Sequence, residues 1–334
     1  MSNIERMSYK KSDHFNEDHF FNPEPARYPA VARRGGLLRL LRARLGRDES
    51  VWSTWPKHVE NSLYPPPDLT RPSISWIGHS SFLLCLGGMN ILTDPIFSAR
   101  CSPVGFMGPR RVRAPGLLVE SLPRIDLILL SHNHYDHMDI PSLRLIRRRF
   151  PEAKIVTSLG NADFLARKGL HRAVELDWWE HLKFNNLQIT ATPARHFAAR
   201  TLWDRNKTLW VGFMLNYHGR SIYFAGDTGY TNAFKEIYSR LGAPDLALLP
   251  IGAYQPRDMM ASVHMDPDEA VQAFLDLQAR RAVGMHFGTF QLTGEPIDEP
   301  SKKLKAALDA KDIPADRFIV LDIGETDYPA APFC

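Results

Sequence analysis

The feature that most constrains this chain is the segment Ser131-His132-Asn133-His134-Tyr135-Asp136-His137, which follows directly on the apolar run Leu127–Leu130. A short apolar run of this kind predicts a buried strand. Just past it, in extended chain, residues two apart face the same way, so His132 and His134 can grip one ion together. The chain is then expected to turn into a helix, presenting Asp136 and His137 on a different side, toward a second ion. Imidazole nitrogens and carboxylate oxygens without thiolate suit Zn²⁺, and Fe and Mn bind the same donors. Cysteine offers no alternative, because Cys85, Cys101 and Cys334 are widely separated and form no CxxC pair. So sparse and odd a set points to a reducing compartment and away from a thiolate metal site.

Three further candidates share one property: each sits just after an expected strand. His196 ends the segment that begins at Leu187, Asp227 follows Ser221–Ala225 in Gly226-Asp227-Thr228-Gly229, and His286 follows Ala282–Met285. Ligand sites in sheet proteins collect where strand ends deliver side chains to one edge. The glycines beside Asp227 let the backbone approach an ion closely. Together these residues make a two-metal site with seven protein ligands. His132, His134 and His196 would hold one ion, Asp136, His137 and His286 the other, with Asp227 bridging. An open position between the ions would bind a water that ionises near neutral pH.

The rest of the chain reads as many short strands with few helices. Ser73–Ile77, Phe82–Leu86 and Asn90–Leu92 are expected strands, the last two joined through Gly87-Gly88, a hairpin signal. Asp126–Leu130, Leu187–Thr192, Leu209–Tyr217, Ser221–Ala225, Asp245–Pro250, Ala282–Met285 and Phe318–Leu321 continue the series. Helices are expected at Ser142–Phe150, after the Asp266-Pro267 start signal, and at Ser301–Ala310. This pattern predicts an α/β (α+β) chain in which two mixed sheets pack face to face with helices outside. The 334 residues suffice for one large core. They divide into an N-terminal arm (1–72), a catalytic domain (73–328) and a tail (329–334).

The net charge of +4 is too small for a dedicated nucleic-acid binder. Most of the surplus lies in the arm, where residues 33–47 carry Arg33, Arg34, Arg39, Arg42, Arg44 and Arg47 and no acid. Leucines at 37, 38, 40, 41 and 45 interleave with them, the composition of an amphipathic helix that either docks on the domain or lies on a membrane. A second acid-free stretch, Ala99–Val119, holds Arg100, Arg110, Arg111 and Arg113 around Val104–Pro109, and reads as a loop that meets anionic headgroups or is merely solvated. No apolar run approaches the roughly 18 residues of a spanning helix, and the first residues hold no signal-peptide core. The expected location is the cytoplasm, with peripheral contact at the inner face of the membrane.

The order His132-x-His134-x-Asp136-His137, then His196, Asp227 and His286, resembles the metallo-β-lactamase fold. Within that fold the chain is similar to the N-acyl-phosphatidylethanolamine-hydrolysing phospholipase D group. Leu92–Phe97, Glu175–Glu180, Phe224–Tyr230, Pro250–Tyr254 and His286–Phe290 carry this likeness, with Phe21-Asn22-Pro23 in the arm. The resemblance implies an αβ/βα sandwich, two Zn²⁺ per chain, and a metal-bridging hydroxide that attacks a phosphodiester to give phosphatidic acid and an N-acylethanolamine. The implied partner is a phospholipid at a membrane surface, and a homodimer is a candidate assembly. His264 matches a family histidine that contacts phosphate or protonates the leaving oxygen. Arg257 and Tyr135 are the other substrate-contact candidates, Tyr135 with packing as its alternative. Asp94 and His79 are candidates to orient ligand imidazoles through the second ring nitrogen. The chain departs from the mammalian pattern at Val263, where Gln is expected, and at Gln255, where Glu is expected. A lactonase of the same fold is the second reading, although a neutral lactone needs neither a basic loop nor a basic arm. A zinc-stabilised scaffold without activity is a third, disfavoured because a structural site is closed.

Overall fold

The computed structural model describes residues 12–24 and 53–329. The amphipathic segment 33–47 and tail residues 330–334 lie outside the described residues. The first sheet has the order β14-β1-β2-β3-β4-β5-β6. Its strands are β1 (Ser73–Gly78), β2 (Ser81–Leu86), β3 (Met89–Thr93), β4 (Leu127–Leu130), β5 (Lys154–Ser158), β6 (Val174–Leu176) and β14 (Thr326–Asp327). The second runs β13-β12-β11-β10-β9-β8-β7. It is built from β7 (His181–Phe184), β8 (Leu187–Pro193), β9 (Val211–Tyr217), β10 (Arg220–Phe224), β11 (Leu246–Pro250), β12 (Arg281–Met285) and β13 (Phe318–Ile319). Each sheet is antiparallel in one half and parallel in the other.

The alternation of side chains explains why two sheets stack with helices outside. In β4, Leu127 and Leu129 join the apolar cluster shared with the second sheet, while Ile128 and Leu130 join a separate cluster on the other face. A strand buried on both faces must read as a continuous apolar run, as Leu127–Leu130 does. The outer cluster is covered by α1 (Ile140–Arg149) through Leu143 and Ile146 and by α2 (Ala162–Arg167) through Leu165. On the far side α3 (Ala233–Leu241), α5 (Pro267–Asp276) and α6 (Glu299–Asp309) contribute Phe234, Phe274 and Leu304 to the main core, and the single turn α4 (Arg257–Met260) precedes α5. The expected start at Asp266-Pro267 holds, and a second capped proline start, not read from the sequence, opens α1 two residues ahead of the expected Ser142. Asp139 caps α1 on the Ser142 amide, with Pro141 in its first turn, and Asp266 caps α5 on the Glu269 amide at 2.9 Å. Each cap contributes about 1 kcal/mol.

The structure adds elements that the sequence analysis did not read. The strand β7 is one: it is an edge strand with alternately exposed and half-buried residues, so it lacks the apolar run that marks its neighbours. The strand β14 is another, only two residues long. The expected arm is partly docked. Phe20 is fully buried in the main core, a contribution of about 1.5–3 kcal/mol. Residues 12–24 thus form a strap across the domain, not a free extension.

Candidate metal centre

All seven expected ligands gather at one edge of the sandwich, and each is delivered by the end of a strand. β4 runs into Ser131, after which a tight turn, with the His137 and Met138 amides both donating to the His134 carbonyl, brings His132, His134, Asp136 and His137 together. The expected helix begins only at Ile140, so Asp136 and His137 sit in this turn ahead of it. β8, β10 and β12 deliver His196, Asp227 and His286. Two glycines make the assembly possible. Gly226 has φ +60° and its missing Cβ would lie 2.7 Å from the Ser131 side chain. A Cβ on Gly252 would lie 2.3 Å from the His286 carbonyl.

The donor atoms fall into two groups. His132, His134 and His196 form one, and Asp136, His137, His286 and His79 form the other, with donor atoms within 4.8 Å of one another in each. Asp227 reaches into both. Its Oδ2 lies 3.0 Å from His286 Nε2, 3.1 Å from His137 Nε2, 3.8 Å from His196 Nε2 and 3.9 Å from His132 Nε2. His137 Nε2, His286 Nε2 and Asp227 Oδ1 are nevertheless buried without a hydrogen-bond partner. Buried polar groups are almost always paired. Close but unbonded nitrogen and oxygen atoms are what a cation would satisfy, and the all-nitrogen-and-oxygen donor set fits a divalent transition metal.

Partners behind the ligands fix their orientation. Asp94 accepts from His137 Nδ1 at 2.6 Å and from the Ser131 amide and hydroxyl at 2.8 and 2.5 Å. This leaves His137 Nε2 facing the site, as the sequence analysis expected of Asp94. Ser131 Oγ also meets His132 Nδ1 at 2.9 Å, and His196 Nδ1 donates to the Val263 carbonyl at 2.9 Å. The residue that departs from the family pattern at 263 therefore serves the site through its backbone. His79 is closer in than expected: its Nε2 meets Asp136 Oδ2 at 3.0 Å and its ring lies 4.1 Å from that of His286.

Electrostatically the site is divided. Burial, reinforced by neighbouring imidazoles, holds His132 far below the ordinary imidazole range and pushes His134 to about 3 and His196 to about 4. Burial acts on His137 and His286 as well, but the carboxylates of Asp227 and Asp136 outweigh it, raising His137 strongly and His286 to about 9. Burial opposes ionisation of Asp136 and Asp227 too, yet the facing imidazoles keep both well below the usual carboxylate range. One group is thus a set of neutral lone pairs, and the other carries concentrated charge.

Among the expected substrate contacts, His264 lies at the site. Its ring centre is 5.0 Å from that of His196, and its buried Nδ1 is 4.0 Å from Asp227 Oδ2 with no hydrogen-bond partner. Arg257 is engaged by the protein itself. Its guanidinium meets Glu269 at 2.7 Å and Asp266 at 3.3 Å and donates to the His264 carbonyl at 3.0 Å, so its charge is taken up in positioning the His264 turn. Tyr135 donates to the Arg200 carbonyl at 3.0 Å under the Arg200 guanidinium, which favours the packing alternative. The sequence analysis missed Arg200, which donates to the Asn133 and Met138 carbonyls at 2.7 and 2.8 Å and staples the ligand turn. It also missed the work of the strap, where Asn22 Nδ2 donates to the His196 carbonyl at 2.9 Å. An arginine or asparagine that acts on backbone leaves no spacing signal. Trp178 and Trp179, half-buried, pack against the main core.

Comparison with known proteins agrees with this architecture. Residues 89–287 match the Beta-lactamase superfamily domain family. The chain is 38% identical over 289 residues to N-acyl-phosphatidylethanolamine-hydrolyzing phospholipase D 1 of Caenorhabditis elegans, covering 80% of this chain and 81% of that protein. It is also 38% identical over 260 residues to the mitochondrial enzyme of that name from Saccharomyces cerevisiae, covering 76% of this chain and 55% of the relative. A solved metallo-hydrolase from the archaeon Ignicoccus hospitalis is 26% identical and superposes with a TM-score of 0.58 over 77% of this chain and 97% of its own. The chain therefore belongs to the β-lactamase superfamily as a metal-dependent hydrolase of the metallo-β-lactamase fold, related to the N-acyl-phosphatidylethanolamine-hydrolysing phospholipases D.

Proposed function

We propose that this hydrolase is a dinuclear phosphodiesterase of phospholipase D type, releasing N-acylethanolamine and phosphatidic acid from N-acyl-phosphatidylethanolamine at a membrane surface. The observation that carries the reading is the placement of Asp227 Oδ2 between two separate donor groups, with His264 beside them. The named activity of the Caenorhabditis and Saccharomyces relatives supports the substrate class. Two Zn²⁺ ions in the two groups would supply Lewis acidity to phosphoryl oxygens and an activated water near neutral pH. The chain's own residues do the rest. Asp227 lies between the two groups, and Asp94 takes the Nδ1 proton of His137 so that Nε2 is the nitrogen turned to a bound ion. His264 Nδ1, unpaired and buried at the site, would contact a phosphoryl oxygen or the departing alcohol oxygen. Arg257 and Glu269 hold that imidazole's turn in place.

The test combines metal content with turnover on N-acyl-phosphatidylethanolamine in mixed micelles, beside a short-chain lactone, with Asp227→Asn as control. About two metals per chain and release of N-acylethanolamine that the variant abolishes is the expected result. Lactone opening without lipid hydrolysis would leave the fold and the site standing and remove the lipid assignment.

A further inference from the structure

Beside the His196 segment, between the strap and the second sheet, lies a cavity of about 500 Å³ that takes no part in the proposed hydrolysis. Its walls come from strap residues 22–24, the Trp178-Trp179 pair after β6, Arg195 after β8, and α3. That volume falls in the range of small-molecule sites. Arg195, His14 and Thr231 in its wall are buried, whereas Asp13 and Glu236 are exposed and mark its mouth.

The charges around this cavity are unevenly engaged. Arg195 is only 8% exposed, yet its guanidinium makes one hydrogen bond, from Nη1 to the Glu24 carbonyl at 2.8 Å, and no ion pair among the described residues. Burial presses it below its usual range, and the Glu24 carboxylate offsets this only at longer range. A buried cation without a facing carboxylate is costly. The carboxylates are engaged on one oxygen each. Asp177 Oδ1 accepts from His14 Nε2 at 2.7 Å and from the Trp178 amide at 2.8 Å. Glu24 Oε2 accepts from the Thr231 hydroxyl at 2.9 Å and the Asn232 amide at 3.3 Å. Asp177 Oδ2 and Glu24 Oε1 take no part in these bonds, while Glu236 is paired with Arg240. An unanswered guanidinium and carboxylate oxygens with spare lone pairs, set among indole and proline surfaces, fit a ligand that carries an anion and an ammonium on a small apolar body.

We propose that this cavity is a second binding site, for a small zwitterion of α-amino-acid type, with the ligand carboxylate on Arg195 and its ammonium on the Asp177 and Glu24 side, and that its occupancy braces the metal centre. The brace runs through main chain. The Arg195 amide donates to Thr228 Oγ1 at 2.9 Å and its carbonyl accepts from the Gly229 amide at 2.8 Å, so the residue is tied to the loop that carries Asp227. The next residue is His196, whose carbonyl is held by Asn22 of the same cavity wall. A ligand joining the strap to Arg195 therefore stiffens the support of two metal-facing side chains, and by linkage it binds more tightly when they are in place. The site is independent of which bond the enzyme hydrolyses.

The experiment titrates the full chain by calorimetry with L-phenylalanine, beside 3-phenylpropionate, which lacks the ammonium, and 2-phenylethylamine, which lacks the carboxylate. L-Phenylalanine should bind with a Kd of about 1 mM or tighter, and each single-charge analogue about tenfold or more weakly. Arg195→Gln should lose about tenfold in affinity, and Arg195→Lys should recover part of it. Ala233→Phe fills the cavity from α3 with every charge left in place and should abolish binding, which keeps the test open if Arg195→Gln melts early. The bound amino acid should also slow the removal of metal by a chelator about threefold or more. Ala233→Phe should show no such slowing, and so controls for chelation by the amino acid itself. No binding by the parent chain, equal affinity for either single-charge analogue, or unchanged binding by a folded Ala233→Phe overturns the site. Binding that leaves metal removal unchanged overturns the brace.

Discussion

The two sheets are close to one another in strand count and in the mix of antiparallel and parallel halves, yet they build their share of the site in opposite ways. The first sheet places His132, His134, Asp136 and His137 in one turn after one strand, and secures them with side chains, Ser131 and Asp94. The second sheet contributes one residue from each of three strands, and His196 is fixed through the Val263 carbonyl and, on its own carbonyl, by Asn22. A ligand set concentrated in sequence depends on a few side chains; a dispersed set depends on backbone geometry. The two halves should therefore fail differently under mutation.

The largest effect is expected where the halves meet. Asp227→Asn weakens the carboxylate that faces His132 and His196 on one side and His137 and His286 on the other, and should lower metal retention and turnover by more than about 100-fold, beyond the cost of losing a supporting partner. Next comes Asp94→Asn, which removes the acceptor behind His137 and should lower metal affinity about 10- to 100-fold in a chelator competition. Ala at Val263 should do far less in the same titration, because His196 uses that residue's carbonyl. Equal losses at 94 and 263 would erase the contrast between the sheets.

Much of this was legible in the sequence, and the sheets differ here too. His132 to His137 announce themselves by spacing. His196, Asp227 and His286 are lone residues that gain meaning only from the strands before them and from the family order. The sandwich was legible because β4 and many other strands are short apolar runs, whereas β7 and β14 are short edge pieces without that pattern, and β5 and β6 were also not read. The ion pairs that hold Arg257, to Asp266 and Glu269, could not be read from the sequence, where it is only a cation near a site histidine. His14 and Asp177, 163 positions apart, could not be paired by any local pattern.

Smaller effects sharpen the comparison at the seams. Gly226→Ala drives a Cβ against Ser131 where the second sheet touches the first, and should cost about 1–3 kcal/mol of stability in a denaturant titration. The strap is the other seam, since it runs from Asp177, beside the first sheet, to His196 of the second. His14 Nε2 meets Asp177 Oδ1 at 2.7 Å and its ring stacks on Trp178 at 4.0 Å. Burial opposes its protonation, but Asp177 and Asp13 outweigh burial and raise it above the ordinary value. A raised imidazole contributes stability that is full below about 6.5 and fades as pH climbs through the higher folded value. The melting-temperature gap between the parent chain and His14→Gln should accordingly be wider at about pH 6 than at about pH 8. A gap independent of pH would mean that the charge on His14 adds nothing to the hold of the strap.

The strap also has a consequence for how the molecule comes into being. A chain made from its N-terminus exposes Asn22 long before the carbonyl it serves, 174 positions later, has been synthesised. His132, His134 and His196 are all present well before His286, so the neutral donor group is whole while the charged one still lacks its last imidazole. Pairings at such separation are slow to close. A chain that stops between residues 196 and 286 would thus hold His132, His134 and His196 but lack His286, one donor of the other group. The charged donor group is complete only once β12 and the His286 that follows it have been made.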